Sequence, residues 1–228
     1  MTRVIGIAGA AHCGSTVLNM MMGQLPGVIG AGETHWLVDR ERLPAEMAWP
    51  CRTHGEACPT FTPELIGQIA EAAPGTWWEW IAVAAGAHTV ISTDKRPAHF
   101  DAFGLPDLVV VLYREPRYWV PSWSMAHGVS MERAAQIWRN LYLRVLEWVD
   151  DKGLPSVKIN WSAVRADPSS LQVVCRLLGL EFSPLMLDFH ERPTCHVGGN
   201  RKTRPGGLQP ELHDMAVPEF NDLMEIFE

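Results

Sequence analysis

The segment from Arg3 to Leu18, RVIGIAGAAHCGSTVL, constrains the fold more than any other part of this chain. A short apolar run, Val4–Ala8, leads into a turn of small residues, Gly9–Gly14, and a second apolar segment covers Val17–Leu25. This order predicts a buried strand, a loop that wraps a phosphate, and the N-terminus of a helix. Glycines at both ends of the turn let the backbone approach an oxygen-rich group. The loop N–H groups and the helix dipole would then point at one anion.

The turn has the glycine spacing of a Walker loop but lacks its lysine. Ser15 occupies the position at which a nucleotide hydrolase carries the lysine that contacts the terminal phosphates. The loop therefore predicts an anion site, with a nucleotide phosphate as the expected ligand, and argues against ordinary hydrolysis of ATP or GTP. A glycine-rich turn that binds nothing is the alternative interpretation at this point.

The composition is typical of one globular domain spanning residues 1–228, with 47% hydrophobic and 20% charged residues. A net charge of −7 argues against broad nucleic-acid binding, so an anion site must be local. No apolar run is long enough to cross a membrane, and cleavage of the apolar N-terminus as a signal peptide would destroy the fold. Five cysteines, an odd number at low density, predict a reducing cytoplasmic location. Ten tryptophans are typical of a core or of the lining of an aromatic cavity.

Three further apolar runs are predicted strands that end in polar residues. They are Val28–Ala31, Thr89–Thr93 and Leu108–Tyr113, followed by Glu33 and His35, by Lys95 and His99, and by Arg114 respectively. In an open parallel sheet the carboxyl ends of the strands form the edge where ligands bind. Pro116 then opens a helical segment, so that Arg114 and Ser122 can converge on one group. For Glu33 considered alone, a solvated loop is the alternative.

Helix signals separate the strands. The predicted helices run from Thr62–Pro63 to about Ala73, from Thr76 to Ala85, from the Ser130 cap to just before Gly153, and from Asp167–Pro168 to Gly179, with a further strand at Ser156–Asn160. A stripe at helical spacing predicts core positions at Ala134, Trp138, Leu141, Val145 and Trp148. Alternating strands and helices predict a three-layer α/β fold with a mostly parallel sheet.

The irregular region Arg40–Pro63 contains Cys51, His54 and Cys58. Their spacing lacks the paired short intervals of a structural zinc site. We therefore predict free thiols or a local crosslink there, and no metal site. The tryptophans at positions 77, 78 and 80 that follow belong either to the core or to a lid over the substrate.

Separated stretches of the chain together resemble the sulfotransferases that use 3′-phosphoadenosine 5′-phosphosulfate. His12–Thr16 is similar to the family's phosphosulfate loop, and Leu108–Ser122 is similar to its 3′-phosphate motif, an apolar strand followed by Arg-x-Pro-Arg and a later Ser. Asn160–Leu180 resembles the family's strand, Asp-Pro pair and helix ending in Leu-Gly-Leu, and Gly198–Arg204 resembles its late glycine-basic loop. The resemblance does not cover residues 38–87, where it implies that acceptor specificity resides.

The resemblance implies a P-loop-like sulfotransferase fold and specific roles for residues. The cofactor-binding residues it implies are Ala11, His12, Cys13, Gly14, Ser15, Thr16, Arg114, Ser122, Gly199, Asn200, Arg201 and Arg204. It implies Glu33 as the catalytic base, with His35 and His99 as alternative bases. It also implies a cation at the leaving phosphate, where the family has Lys or Arg and this chain has His12. Lys95, in a Lys-x-Pro sequence, is the alternative cation.

The implied reaction is in-line transfer of a sulfuryl group to a hydroxyl of a small molecule, or of a protein. The tryptophan-rich middle of the chain favours a neutral or aromatic acceptor, and the oligomeric state stays open. A nucleotide or small-molecule kinase is the first alternative, but it needs a Walker lysine and a magnesium-binding carboxylate where Arg114 stands. A nucleotide-binding protein without catalysis is the second alternative, and His12 favours it.

Overall fold

A parallel sheet forms the centre of the molecule. The computed structural model describes residues 1–39, 49, 51, 53–73, 75–192, 194–199 and 218–227. The strands are β1 (Arg3–Ala8), β2 (Val28–Gly32), β3 (Thr89–Lys95), β4 (Leu108–Tyr113) and β5 (Ser156–Asn160). They form one sheet in the order β2–β3–β1–β4–β5, and every neighbouring pair is parallel. The predicted strands and the predicted α/β class are confirmed.

Helices occupy most of the connections between the strands. They are α1 (Ser15–Met22), α2 (Pro63–Glu71), α3 (Trp77–Ala85), α4 (Pro97–Phe103), α5 (Pro116–His127), α6 (Met131–Asp151), α7 (Trp161–Ala166) and α8 (Leu171–Leu177). Short 3₁₀ turns cover Thr34–Leu37, Gly55–Ala57, Pro168–Ser170, Pro184–Asp188 and Pro218–Phe227. Two predicted caps are confirmed, because Thr62 Oγ1 accepts from the Leu65 N–H at 3.3 Å and Ser130 Oγ from the Arg133 N–H at 3.2 Å. In the described part of the chain, no helix is both long and apolar enough to span a bilayer.

Apolar side chains cover both faces of the sheet and make it the middle of three layers. Neighbouring residues of β3 point to opposite faces, so Ile91 joins one apolar cluster and Val90 the other. The first cluster packs α1 and α5 to α8 against the sheet and contains the fully buried rings of Trp119 and Trp138. The second packs α2 and α3 with Val197. The three-layer prediction is therefore confirmed.

The tryptophans of α3 divide between core and surface. Trp77 and Trp78 are buried, whereas 43% of Trp80 is exposed, so the first two belong to the core. In α6 the predicted stripe is buried except at Leu141, which is only half-buried. The neighbouring Tyr142 is fully buried in its place, because its hydroxyl reaches an acceptor inside the core.

Several local boundaries differ from the sequence predictions. Helix α1 begins two residues before the predicted apolar segment and ends at Met22, where Gly23 follows. Helices α4 and α7 were not predicted, since each is too short to show a helical period. The single helix predicted after Asp167 is instead the turn Pro168–Ser170 followed by α8, because the Asp167 carboxylate accepts the Ser169 N–H at 3.0 Å and starts a tighter turn.

All five strands point their carboxyl ends to the same edge of the sheet. β1 lies between β3 and β4, so the chain crosses over β1 on its way from one to the other. The connections that leave β1 and β3 therefore run in opposite directions across the sheet. In parallel α/β sheets such a change of direction opens a crevice at the carboxyl edge, and ligands bind there. Among the predicted site residues, residues 11–16 follow β1, Glu33 and His35 follow β2, Lys95 ends β3, and Arg114 follows β4 at this edge.

Candidate active site

The loop of residues 9–14, called the anion loop below, begins directly after β1. A Cβ atom on Gly9 would overlap the carbonyl oxygen of Leu112, and one on Gly14 would overlap the Trp161 indole. Gly14 also has a φ of 95°, which side chains with a Cβ rarely adopt. The two predicted glycines are therefore required by close packing as well as by backbone conformation, and Trp161 is a supporting residue that the sequence did not reveal.

Hydrogen bonds from the core hold this loop in place. The Ala10 N–H donates to the Tyr142 hydroxyl at 3.3 Å, and that hydroxyl donates to the Leu112 carbonyl at 2.9 Å. Trp119 Nε1 donates to the Ala11 carbonyl at 2.7 Å. The core side of the loop is thus hydrogen-bonded, and the loop passes directly into the first turn of α1.

The N-terminus of α1 has the features of an anion site. Gly14 is its N-cap and has no side chain to cap the helix, and the first turn contains no acidic residue. The first N–H groups of a helix have no acceptor within the helix, so an anion here would accept from them. Ser15 and Thr16 are both buried at this point. Burial raises the pKa of the adjacent Cys13 thiol, although the charge of Lys95 opposes that effect, so the thiol adds no negative charge.

Glu33 and Lys95 form an ion pair at the ends of β2 and β3. The second oxygen of Glu33 accepts from Trp36 Nε1 at 3.0 Å. Burial by itself raises the pKa of Glu33, but the nearby charge and hydrogen bond of Lys95 more than offset it, and the net pKa lies below the usual value. The Lys95 carbonyl accepts the Gly9 N–H at 3.1 Å. A backbone hydrogen bond therefore connects the residue that carries the cation of this ion pair to the anion loop.

Asp94 is a buried carboxylate whose oxygens are fully occupied. Oδ1 accepts from the His35 N–H at 2.9 Å and from His35 Nδ1 at 2.7 Å. Oδ2 accepts from Thr34 Oγ1 at 2.5 Å and from Ser92 Oγ at 2.7 Å. A carboxylate offers about four lone-pair sites, so these bonds leave none for a metal. The hydrogen bonds, led by that of His35, outweigh burial and hold the pKa of Asp94 below its usual value.

His35 and His99 lie against each other beside this carboxylate, with ring centroids 4.1 Å apart. Because Nδ1 of His35 donates to Asp94, Nε2 is the atom that can accept a proton. His99 Nδ1 donates to the Asp94 carbonyl at 2.9 Å. Burial and the neighbouring His35 lower the pKa of His99, which keeps it neutral near pH 7. His35, His99 and Asp94 are thus brought together, and Asp94 is a site residue that the sequence analysis did not select.

The two candidate cations occupy different sides of the anion loop. Among the described residues, His12 and Lys95 are the non-glycine positions with positive φ, at 65° and 63°. Lys95 points to Glu33, whereas His12 is exposed and packs edge-on against Trp123 of α5 with centroids 5.6 Å apart. His127 is the next ring in that cluster, 3.8 Å from Trp123.

The end of β4 carries Arg114, which is 9% exposed, and its carbonyl accepts from Trp138 Nε1 at 3.1 Å. Ser122 is half-buried on α5. Glu115 connects this end to β5, because its N–H donates to Ser162 Oγ at 3.2 Å and its carboxylate accepts from Asn160 Nδ2 at 3.0 Å. A buried guanidinium at this edge suits an anionic ligand.

The segment 194–199, from the C-terminal part of the chain, lies against both Glu33 and Thr16. Val197 pairs with the end of β2, donating to the Ala31 carbonyl and accepting the Glu33 N–H, both at 2.8 Å. A Cβ on Gly198 would lie 3.0 Å from Glu33, and one on Gly199 would lie 2.8 Å from Thr16 Cγ2. Gly199 is therefore at the anion loop. Asn200, Arg201 and Arg204, which the sequence analysis placed with Gly199 in the late glycine-basic loop, lie outside the described residues.

Comparison of the whole fold with known proteins shows which architecture this is. Neither a protein-family model nor a curated protein sequence matches the chain. The sulfotransferase domain from the Synechococcus PCC 7002 olefin synthase is similar over 100% of this chain and 94% of that one, with a TM-score of 0.61 and 17% identity. The chain has a sulfotransferase fold. The sulfotransferase domain from the curacin biosynthetic pathway is also similar, over 100% of this chain and 92% of that one, with a TM-score of 0.55 and 14% identity.

In this sulfotransferase fold, residues 11–16, Glu33, His35, Lys95, His99 and Arg114 lie at or after strand ends on one edge of the sheet. The anion loop, Glu33 with Lys95, and the histidine pair with Asp94 are connected through hydrogen bonds or direct packing. The supporting residues Asp94 and Trp161 were missed because nothing local distinguishes a buried carboxylate or indole from an ordinary strand or helix residue. A polar residue inside a β-branched run, such as Ser92 two positions before Asp94, is the one signal that was present.

Proposed function

We propose that this protein transfers a sulfuryl group from 3′-phosphoadenosine 5′-phosphosulfate to a hydroxyl group of a small-molecule acceptor. One observation carries the proposal. An anion loop and the Lys95–Glu33 pair lie side by side at the ligand edge of a sulfotransferase fold, joined by the bond from Gly9 to Lys95. This arrangement combines donors for an anionic group with a cation and a carboxylate, the parts that group transfer to a hydroxyl requires.

Two positive regions of this edge suit the two anionic ends of such a donor. The N–H groups of residues 11–16 and the hydroxyls of Ser15 and Thr16 would hold the 5′-phosphosulfate, because that helix N-terminus has no side-chain cap. Arg114 and Ser122 would hold the 3′-phosphate, since a buried guanidinium is suited to a phosphate. Gly199, against Thr16, would pass over the nucleotide.

Glu33 is the proposed base. The bound donor supplies the sulfuryl group, which passes to the acceptor oxygen as its bond to the 5′-phosphate breaks. Glu33 is ionised at neutral pH because Lys95 lowers its pKa, and it takes the proton of the acceptor hydroxyl. Lys95 is positioned to counter the negative charge that develops on the leaving phosphate. Positioning and electrostatics carry most of the rate, as they do in phosphoryl transfer.

The buried Asp94 favours His35 as a second candidate base. A carboxylate that accepts from Nδ1 fixes the tautomer and orientation of an imidazole and leaves Nε2 to accept a proton. Glu33, in contrast, already accepts from both Lys95 and Trp36. Substitutions at Glu33, at His35 and at Asp94 separate the two candidates.

The donor is tested by thermal unfolding with adenosine 3′,5′-bisphosphate, with ADP, and with ATP and magnesium. At about 100 times its dissociation constant, a ligand adds ~2.7 kcal/mol of stability, which raises the Tm of a chain this long by roughly 5–10 °C. We expect this rise with the bisphosphate alone. Arg114→Ala should weaken binding about 10–100-fold, and Arg139→Ala, which removes an exposed arginine of α6, should not. Stabilisation only by ATP with magnesium would indicate a kinase instead.

The base is tested by sulfate transfer to a small phenol, 4-nitrophenol, across a pH series. With Glu33 as the base, Glu33→Gln should lower kcat about 10²–10⁴-fold and His35→Asn should keep most activity. Because Lys95 lowers the pKa of Glu33, kcat/KM should stay constant to a pH below the usual range of a glutamate. Loss of activity in both His35→Asn and Asp94→Asn, with activity kept in Glu33→Gln, would assign the base to His35 instead. Bisphosphate binding by every variant serves as the control for folding.

Binding without catalysis is the remaining alternative, and the exposed His12 favours it. In that case the bisphosphate would bind but no acceptor would be sulfated, and His12→Lys would restore transfer. Transfer by the unaltered protein would exclude this alternative.

A further inference from the structure

Four metal-ligating side chains from distant parts of the chain converge next to the proposed active site. The donor atoms of Cys51, His54 and Cys58 all lie within 4.8 Å of one another. The fourth side chain is Cys195, whose Sγ lies 3.4 Å from His54 Nδ1. Cys195 also belongs to the segment 194–199, whose Val197 pairs with Cys51 in an isolated β-bridge. Three cysteines therefore lie around the imidazole of His54.

The spacing of these atoms agrees with tetrahedral coordination. Zinc binds sulfur at about 2.3 Å and imidazole nitrogen at about 2.0–2.1 Å, so a sulfur and a nitrogen on one tetrahedral ion lie ~3.5 Å apart. His54 Nδ1 lies 3.8 Å from Cys51 Sγ and 3.4 Å from Cys195 Sγ. These separations are close to those that the ion requires, and small rotations of the side chains would complete the geometry.

The surroundings also suit a thiolate cluster. Cys51 and Cys58 are buried, and Cys195 is partly buried. The Phe61 N–H donates to Cys58 Sγ at 3.2 Å, the kind of outer bond that orients a metal ligand. All the cysteines of the chain are free thiols in the structure, so the cluster is available for coordination.

We propose that Cys51, His54, Cys58 and Cys195 bind one structural zinc ion. Three sulfurs and one nitrogen that can surround one ion tetrahedrally favour zinc among the common divalent metals. Four protein ligands leave no open position, so the role is structural and not catalytic. The sequence predicted no metal because Cys195 lies far along the chain from the other three ligands, and the short local spacing alone is incomplete.

The zinc would join two segments that border the active site. Cys51 pairs with Val197 in an isolated β-bridge, and Val197 in turn accepts the N–H of Glu33. Thr53 adds a second connection, since its hydroxyl donates to the Thr194 carbonyl at 2.8 Å. An ion held by residues on both segments would keep 194–199 against Glu33 and Thr16, where it forms a wall of the site.

Metal analysis of the full chain tests the proposal. The protein is expressed with added zinc, purified without a metal-binding tag, and measured by plasma mass spectrometry. We expect about one zinc per chain, loss of most of it in Cys58→Ala and in Cys195→Ala, and retention in the matched control Cys175→Ala. Cys175 is also a buried free thiol but packs in the other apolar cluster, against Met186.

X-ray absorption on the unaltered protein keeps the test informative if the variants fail to fold. A first shell of three sulfurs and one nitrogen would support the site. Absence of zinc in the protein together with no uptake of added zinc would overturn it, as would equal zinc in Cys195→Ala and Cys175→Ala. Titration of fewer than five thiols in the denatured, unreduced protein would indicate a disulfide in place of the metal and would also overturn it.

Discussion

At the scale of single residues, the backbone is strained where the candidate site is built. A residue other than glycine in the left-handed region costs about 1–2 kcal/mol, and such conformations persist only where the surroundings enforce them. Lys95 has this conformation while its carbonyl accepts from Gly9 and its ammonium pairs with Glu33. The strain therefore falls on a residue that connects the anion loop to the ion pair.

Gly14 provides a direct test of how closely the anion loop is packed. Gly14→Ala should lower the free energy of unfolding by ~1–2 kcal/mol for its positive φ and by about 1–3 kcal/mol more for the overlap with Trp161. Gly128→Ala is the matched control, because Gly128 has a φ of 64° and nothing within 4 Å of an added Cβ. Chemical denaturation measures both, and equal losses would contradict the packing argument.

At the scale of elements, the segment 194–199 connects parts of the site that are far apart in sequence. It extends the sheet beside β2 through Val197 and places two glycines with positive φ, Gly198 and Gly199, against Glu33 and Thr16. Only residues without a Cβ can approach so closely at both places. The segment therefore helps to set the shape of the anion site through its backbone.

Gly199→Ala should weaken binding of adenosine 3′,5′-bisphosphate by about tenfold, or ~1.4 kcal/mol. The added Cβ would lie 2.8 Å from Thr16 Cγ2, so either the loop or Thr16 must move away from the nucleotide. Isothermal titration calorimetry measures the affinity, with Gly128→Ala as the control for positive φ alone. Unchanged affinity in Gly199→Ala would place the nucleotide away from this segment.

At the scale of the whole molecule, buried carboxylates make stability depend on pH. Burial raises the pKa of Asp94 and of Glu33, but hydrogen bonds and the charges of His35 and Lys95 lower both below their usual values. A group whose pKa is lower in the folded than in the unfolded state adds stability above its unfolded pKa, and that stability is lost as the pH falls through the folded pKa. The molecule should therefore keep a stability plateau above about pH 5 and lose stability below about pH 4.

Asp94→Asn should lower the free energy of unfolding near pH 7 by about 1–3 kcal/mol and make its decline below pH 4 shallower. The variant loses the charge that His35, Thr34 and Ser92 donate to, and with it the group that must be protonated in acid. Urea unfolding at several pH values measures how steeply the free energy of unfolding declines with pH. Glu79→Gln, at an exposed position of α3, is the control, and its plot of unfolding free energy against pH should run parallel to that of the unaltered protein. A parallel plot for Asp94→Asn would contradict the argument.

Local signals predicted most of the fold. The strand Leu108–Tyr113 and the cap at Ser130 depend on the residues beside them, and both agree with the structure. The anion loop was predicted for the same reason, since its glycines and the helix after it are consecutive. Helices α4 and α7 were missed because about two turns show no period. Roles assigned to Glu33, Arg114 and Ser122 stay predictions until the variants are measured.

The sequence by itself determined the strands, most of the longer helices and the parallel sheet, because hydrophobic periodicity and capping act over a few residues. Only the tertiary structure decided that Asp94 holds His35, that Trp161 packs on Gly14, and that Cys195 lies against His54. These contacts join residues far apart along the chain or on different elements. No local pattern encodes them, since they arise from how the strands are ordered in the sheet and where the return segment packs.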